Sequence, residues 1–407
     1  MKKKLYEFVE ERVTEDNIQT IILISFAITV FIKMNNINGI KMSDMIDYSV
    51  ILSIIILFLS KFISVMLSKL IRIICEDPAK LSDNYGELAE KYHLSDLITV
   101  FEKSGNTGND FQLPVELIYV RRKEEEPYDI KLNYSQKDYE LPDQIIKISE
   151  HLIKAHRESR IYNSRCFRLD KITKIDNEIH MGISRTSYYD SLLTNRAMDY
   201  RWPDGRSNRK VYEPELYVSP LEYSKMSNHI GINGIIETID EKFIFIKRSR
   251  DQSIGKHTIG TSVGAGIKAN HVLDKSDILK KDAILYSITE EINEELGISG
   301  LEIERQDIVA IYRDLVEGGK PQVLFYKKLE KEYEFKGKKP DGKRIFIKRD
   351  TVMESEFKVD GIIMNKRFYS MMPSVVASIV LIKYHLDDSI PFPLQNTNQD
   401  NLTENRE

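Results

Sequence analysis

The chain has 407 residues, which is enough for two or three domains. Its 59 lysines and arginines against 63 aspartates and glutamates give a net charge of −4, so the composition excludes the broad positive field of a protein that binds nucleic-acid duplexes. The two cysteines, Cys75 and Cys166, are too few for a disulfide framework and lack the spacing of metal ligands, which indicates a reducing compartment for most of the chain.

Residues 1–75 differ from the rest because they contain two apolar stretches. Residues 17–36 and 46–68 each reach the roughly 20 residues that a transmembrane helix needs, once polar flanks are counted. Basic residues cluster before the first stretch and after the second, and few lie between them. This asymmetry predicts a two-helix transmembrane hairpin with both termini in the cytoplasm. A signal peptide and a buried helical hairpin of a soluble protein are the alternatives.

The next part of the chain mixes helical and strand patterns. We expect a helical connector over 76–113 and an α/β extension over 114–225. At the end of this extension, Tyr188, Tyr189 and Trp202 lie in a segment predicted to be helical. These rings either stack on a base or are buried in the core.

Residues 226–390 contain the patterns that bear on chemistry. Two strands are predicted around a tight turn, and the second ends at Arg248, whose planar guanidinium suits phosphate. A glycine-rich run follows, in which Gly264 and Gly266 would allow a ligand phosphate close to the backbone. A closing helix is expected near the end of this part, and the polar tail 391–407 is expected to be disordered.

The most informative stretch is the acidic segment SITEEINEELGI, residues 287–298. In a helix, Glu291, Glu294 and Glu295 lie at positions i, i+3 and i+4 and share one face. Carboxylates at this density suit Mg²⁺ or Mn²⁺ held together with substrate phosphates. For the acidic pattern alone, a solvated helix face is the competing interpretation.

The run from Glu291 to Ile298 resembles the second half of the Nudix box at every fixed position, and Gly266 stands where that box opens. The resemblance implies a Nudix α/β/α sandwich after the membrane hairpin and the extension. It also implies that Glu291, Glu294 and Glu295 are the metal ligands and, if the domain is active, its catalytic residues. The metal would be Mg²⁺ or Mn²⁺, and Arg248 and Gly264 would contact the ligand.

Three departures from the box leave it open whether the domain is an enzyme. Asp282 stands for the first glutamate, and Glu290 stands for the arginine. About ten residues, 268–277, are inserted and expected to loop out. An anion in place of the arginine increases repulsion, so we expect the pKa of a neighbouring carboxylate to be raised. For the later general base, the sequence offers Glu317 and Glu354 without ranking them.

As an architecture, the chain resembles the membrane–Nudix effectors of bacterial CBASS antiphage systems. The resemblance implies a multi-pass protein of the cell inner membrane whose cytosolic domain binds a cyclic oligonucleotide. An associated cyclic-nucleotide synthase would make that signal, and binding would drive homo-oligomerisation and disruption of the lipid bilayer. Two alternatives remain: a membrane-anchored, metal-dependent hydrolase of a nucleoside diphosphate derivative such as ADP-ribose, and a non-catalytic nucleotide-binding scaffold.

Overall fold

The computed structural model describes residues 88–89, 97–100, 110–154, 156, 161–214, 218–249, 252, 254–335 and 342–393. The chain divides into two compact units, Met1–Pro78 and Ala79–Glu407, and all described residues belong to the second. The predicted transmembrane segments and the tail from residue 394 lie outside the described residues. Within the described part of the chain, no helix has both the length and the apolar composition to cross a bilayer.

The described residues form strands that we number in chain order. They are β1 (Leu97–Val100), β2 (Phe111–Val120), β3 (Asp129–Asp138), β4 (Arg165–Ile175), β5 (Glu178–Ser187), β6 (Gly231–Glu237), β7 (Lys242–Arg248), β8 (Ile259–Gly260), β9 (Val263–Gly266), β10 (Ile308–Asp314), β11 (Lys320–Lys328), β12 (Gly342–Lys348), β13 (Glu356–Lys358), β14 (Gly361–Met364) and β15 (Arg367–Ser370).

The α-helices of the same residues are short, apart from two. They are α1 (Asp143–Lys147), α2 (Ser149–Lys154), α3 (Tyr188–Leu193), α4 (Asn208–Tyr212), α5 (Ala269–Val272), α6 (Ala283–Leu296), α7 (Arg349–Met353) and α8 (Pro373–Leu386).

A mixed nine-stranded sheet organises the fold. Its main order is β1-β2-β10-β11-β6-β7-β12, with β8 paired to β7 and β9 paired to β6. The β11–β6 pair is parallel, and its neighbours β10–β11 and β6–β9 are antiparallel. The helix α6 packs its apolar side against one face of this sheet, and α8 packs against the other. The predicted α/β class is therefore confirmed.

The two long helices form where the sequence predicts them. In α6, Ile284, Ile288, Ile292 and Leu296 recur every four residues and are all buried. Gly297 then ends the helix in the left-handed conformation, which costs a glycine little. The helix α8 begins with proline in its first turn and is apolar on nearly every side, so it is buried almost throughout.

The structure corrects part of the predicted helical connector. Leu97–Val100 is a strand rather than part of a helical connector, because its four side chains are buried and it pairs with β2. The strand β2 in turn pairs with β10. The nine-stranded sheet thus contains strands from both sides of position 225. Gly342–Lys348, a basic stretch of the sequence, is a strand that pairs along its whole length with β7.

A second sheet, with order β3-β5-β4, lies within the predicted extension. Isolated bridges join its strand β4 to the core, pairing Cys166 with Lys268 and Arg168 with His229. The helical segment after β5 places Trp202 in a small buried cluster, where its Nε1 donates a hydrogen bond to Asn208 Oδ1 at 3.0 Å. The Trp202 ring is therefore buried in the core, which is the second of the two alternatives given by the sequence.

Candidate functional site

The acidic side of α6 is the centre of the candidate site. Glu291 is buried, with 2% of its side chain exposed, whereas Glu294 is about half exposed. A buried carboxylate is costly unless a cation or hydrogen-bond donors compensate it. The contacts of Glu291 therefore determine what the site can do.

Two residues of the inserted segment supply those contacts. The Lys268 ammonium lies 2.9 Å from Glu291 Oε1 and also donates a hydrogen bond to Glu294. The buried His271 ring stands between the same two carboxylates, with Nδ1 3.3 Å from Glu291 Oε1 and Nε2 3.1 Å from Glu294 Oε1. One histidine and one lysine thus cover the acidic face.

The inserted segment does not loop out as expected. It begins with α5, which places His271 and Val272 in the interior. Leu273 is buried as well, so the segment is anchored by apolar packing beside α6. The backbone bridge between Lys268 and Cys166 fixes the start of the segment against β4.

The expected rise in carboxylate pKa is wrong for Glu294. Partial burial raises the pKa of Glu294, but the hydrogen bond and charge of Lys268, together with His271, outweigh burial and lower it. Burial likewise opposes the charge on Lys268, yet the two carboxylates raise the pKa of its ammonium overall. Glu290 accepts a hydrogen bond from Tyr286 one turn earlier and raises the pKa of that hydroxyl.

The third carboxylate of the set has a different environment. Glu295 Oε2 accepts a hydrogen bond from the Gly264 amide at 3.1 Å, which ties α6 to β9. A Cβ at Gly264 would lie 3.9 Å from Arg248 Nη1 and 4.0 Å from Asn233 Oδ1. The structure therefore brings the predicted ligand contacts Arg248 and Gly264 together beside Glu295. A guanidinium next to an accessible backbone is a favourable place for a phosphate group.

Gly266 has a packing role that its sequence context did not reveal. A Cβ there would lie 2.0 Å from Cε1 of His229, so the histidine ring fills the space above this glycine. His229 is buried, and burial holds the pKa of its ring well below the ordinary value. The side chain of His229, rather than a ligand, therefore makes the close approach to the Gly266 backbone.

The structure also places the remaining acidic candidates. Asp282 lies just before α6, at the opposite end of the helix from Glu295. Its backbone is in the left-handed conformation, and its side chain makes no capping hydrogen bond. Glu317 is buried in ion pairs with Arg196 at 2.9 Å and Lys320 at 3.4 Å. Glu354 is exposed at the end of α7.

Sequence reasoning missed Lys268, His271 and Asn233. Lys268 and His271 lie in the segment 268–277, which was expected to loop out. The charged residues of that segment were the only sign in the sequence of a role in the site. Asn233 alternates with apolar residues in β6 and donates a hydrogen bond to the Tyr312 hydroxyl at 2.8 Å. A polar residue inside an otherwise apolar strand was the available clue.

The acidic residues also fit a divalent cation. Ligand atoms of His271, Glu291 and Glu294 lie within 4.8 Å of one another. Metal–ligand bonds of about 2.0–2.2 Å would need only a small contraction of this set. The hydrogen bond from Gly264 directs Glu295 away from the cluster.

A separate cavity of about 300 Å³ opens at the other end of α6. Its lining includes Tyr128, Lys131, Lys280 and Arg305. Lys131 and Arg305 both pair with Asp129, which offsets part of the positive charge. The cavity shares no lining residue with the acidic face of α6.

No family model matches the chain, and no curated protein is significantly similar to it. Solved structures that resemble it include a Nudix-family hydrolase from Clostridium perfringens, at 10% identity over 39% of this chain and 98% of that one, with a TM-score of 0.24. The MutT protein from Methanosarcina mazei Go1 is 11% identical over 31% of this chain and 82% of that one, with a TM-score of 0.21.

A third similar structure is DR0079 from Deinococcus radiodurans, which is 12% identical over 31% of this chain and 70% of that one, with a TM-score of 0.22. Likenesses at these scores carry no weight for the activity or the substrate of this chain.

Proposed function

We propose that the domain built around α6 is a receptor for a nucleotide signal, a cyclic oligonucleotide, whose phosphate binds beside Arg248 and Gly264. One observation carries the proposal: a guanidinium and an accessible glycine backbone converge beside Glu295, while Lys268 holds Glu291 and Glu294. A phosphate diester needs donors and positive charge there, and the Arg248 guanidinium supplies both, since the Gly264 amide already donates to Glu295.

The Lys268 contacts favour binding over hydrolysis. In metal-assisted hydrolysis, carboxylates hold a cation that polarises the phosphate and activates water. Here the ammonium of Lys268 occupies the space between Glu291 and Glu294 that such a cation would need. The acidic face is consequently ordered by the protein's own charge, which suits a pocket that retains its ligand.

Transmission of the signal is the second part of the proposal. Ligand binding would promote homo-oligomerisation, and the predicted membrane helices within residues 1–75 would then assemble and disrupt the inner membrane. The support is the pattern of apolar stretches and flanking basic residues in the sequence. In this scheme an associated synthase supplies the cyclic oligonucleotide, with both termini in the cytoplasm and the domain acting as an antiviral effector.

A hydrolase of a nucleoside diphosphate derivative such as ADP-ribose is the second candidate. It is favoured by the cluster of His271, Glu291 and Glu294 donor atoms, which fits a divalent cation. That cation would supply charge neutralisation of the diphosphate. Glu295, fixed by the Gly264 amide, would then be the carboxylate nearest to the phosphate position.

The test is a binding titration of the full-length protein, in detergent micelles, with cyclic dinucleotides, cyclic trinucleotides and ADP-ribose. We expect a cyclic species to bind, and Arg248→Gln to weaken it about 10- to 100-fold, as for loss of a charge-assisted hydrogen bond. Arg367→Gln, at an exposed position of β15, is the matched control and should leave affinity unchanged. Binding of ADP-ribose alone, with turnover, would support the hydrolase instead.

A further inference from the structure

The strand β12 lies at one end of the nine-stranded sheet. One of its edges pairs with β7 along its whole length, from Gly342 to Lys348. Among the described residues, no strand pairs with its other edge. The backbone N–H and C=O groups along such an edge are a template for pairing with a further strand.

The side chains of β12 alternate between the two faces of the sheet. Ile345 and Ile347 are partly buried against the apolar cluster that contains α8. On the other face, Arg344 donates a hydrogen bond to the Leu296 carbonyl oxygen at 3.0 Å. The Phe346 ring, on the same face as Arg344, is 45% exposed. The strand therefore presents an exposed aromatic ring beside an open backbone edge.

The cations of β12 restrict what can pair with it. The strand carries Lys343, Arg344 and Lys348 and no acidic residue. In an antiparallel pair, residues directly opposite each other lie on the same face, with Cβ atoms about 4.5–5.5 Å apart. Like charges in such a pair destabilise it, whereas a guanidinium over an aromatic ring is favourable.

We propose that β12 pairs antiparallel with β12 of a second copy of this chain, about a twofold axis at Ile345. Each Arg344 then lies opposite Phe346 of the other copy, and each Lys343 lies opposite Ile347. No cation of the strand lies opposite another in this register. The contact uses the same surface on both copies, so it closes as a dimer with one continuous sheet.

Neighbouring registers are less favourable. An axis at Arg344 places the two copies of that residue opposite each other, and an axis at Phe346 places Arg344 opposite Lys348 twice. An axis beyond Phe346 leaves few pairs within the strand, because α7 begins at Arg349. The charges therefore favour one register.

A second copy fits this edge because the strand itself supplies both members of each cross-strand pair, the guanidinium and the ring. Chains held in one membrane would also meet at a raised effective concentration. The surface would serve the homo-oligomerisation of the proposed function, and its part in signalling rests on that function. The pairing itself needs no nucleotide.

The first experiment measures the dimer dissociation constant of the full-length protein in detergent micelles, without nucleotide, by sedimentation at graded concentrations. Phe346→Lys places two like-charge pairs across the axis and should weaken dimerisation about tenfold or more. Adding Arg344→Glu turns each of these into a glutamate–lysine pair and should restore the dimer. Phe368→Lys is the matched control, because that ring is 46% exposed on β15, and it should leave dimerisation unchanged.

A second experiment uses thiol cross-linking and keeps the charges facing each other across the axis. The register brings the Cβ atoms of Ile345→Cys in the two copies to about 4.5–5.5 Å, within reach of a short cross-linker. The thiols of Lys348→Cys would lie about 20 Å apart, six strand positions away from each other. We expect covalent dimers from Ile345→Cys, above the level of the unmodified protein, and none from Lys348→Cys.

Two results would overturn the proposal. One is equal dimerisation of Phe346→Lys and Phe368→Lys, and the other is cross-linking of Lys348→Cys as efficient as that of Ile345→Cys. The cross-linking result decides the matter even if the double variant fails to fold. Because nucleotide is absent throughout, failure of the dimer leaves the nucleotide titration unaffected, and failure of nucleotide binding leaves these results standing.

Discussion

The ammonium nitrogen of Lys268 lies 2.9 Å from Oε1 of Glu291, although 23 residues separate the two in sequence. The contact joins the inserted segment to the buried carboxylate of α6. Lys268 also supplies a positive charge from a different part of the chain, whereas position 290, where the resembling sequence pattern has an arginine, carries a glutamate. The order of the acidic face therefore rests on this pair.

Lys268→Met should destabilise the protein in the presence of a chelator. Removing the ammonium leaves Glu291 buried beside Glu294, so we expect the free energy of unfolding to fall by about 1–3 kcal/mol. Denaturant unfolding can be followed by the fluorescence of Trp202, the single tryptophan. Lys281→Met, at an exposed position, should change stability by less than about 0.5 kcal/mol. Equal stability of the two variants would refute a role for the pair.

The buried carboxyl group of Asp314 should make the free energy of unfolding depend on pH. Burial, followed by the charge of Glu317, raises the pKa of this carboxyl from 3.8 to about 7. The folded state thus keeps a proton that the unfolded chain releases. The group's contribution to stability falls as pH rises from about 4 to about 7 and is constant above that.

Asp314→Asn should remove this part of the pH dependence. We expect the loss of stability between pH 5 and pH 8 to be smaller in Asp314→Asn than in the unmodified protein, measured by the same unfolding assay. Asp350→Asn, at an exposed position of α7, is the control and should follow the unmodified curve. Parallel curves for Asp314→Asn and the unmodified protein would contradict the assignment.

Gly264 and Gly266 should respond differently to alanine. Neither glycine has a positive φ, so the difference comes from their surroundings. At Gly266 a Cβ would lie 2.0 Å from the His229 ring, and we expect a loss of about 1–3 kcal/mol of stability.

At Gly264 the nearest atom would be 3.7 Å away, which is ordinary contact. Gly264→Ala should therefore fold normally and weaken nucleotide binding beside Arg248. Equal stability of the two variants would show that His229 moves aside freely.

Glu295→Gln separates the receptor from the hydrolase. The glutamine carbonyl can still accept the Gly264 amide, so the local structure should be kept. A receptor should retain ligand binding and ligand-triggered membrane depolarisation in this variant. If both signalling and turnover are lost together while binding is kept, catalysis is part of the function.

The fold was predictable wherever one periodicity dominated. The four-residue spacing of Ile284, Ile288, Ile292 and Leu296 fixed both the helix α6 and its buried side. Uniform apolarity likewise located α8. Short strands such as β1 and β12 were missed because their sequences carry no strong alternation, and pairing with β2 and β7 decides their conformation.

The candidate site was predictable only in part. The spacing of Glu291, Glu294 and Glu295 identified the acidic face, and Arg248 was expected near phosphate. The position of Lys268 and His271 beside the acidic face depends on a tertiary contact, the bridge between Lys268 and Cys166. No local sequence pattern encodes that contact. The filling of the space at Gly266 by His229 is likewise a packing result.

The central claim is that the domain binds a cyclic oligonucleotide without cleaving it. The most direct test is to measure whether the ligand is retained and recovered intact. Full-length protein is equilibrated with labelled cyclic di- and trinucleotides in the presence of Mg²⁺ or Mn²⁺, and the bound material is eluted and chromatographed. The receptor account predicts that one cyclic species is bound saturably and recovered intact. Recovery of cleaved product, or no retention of any cyclic species, would contradict it.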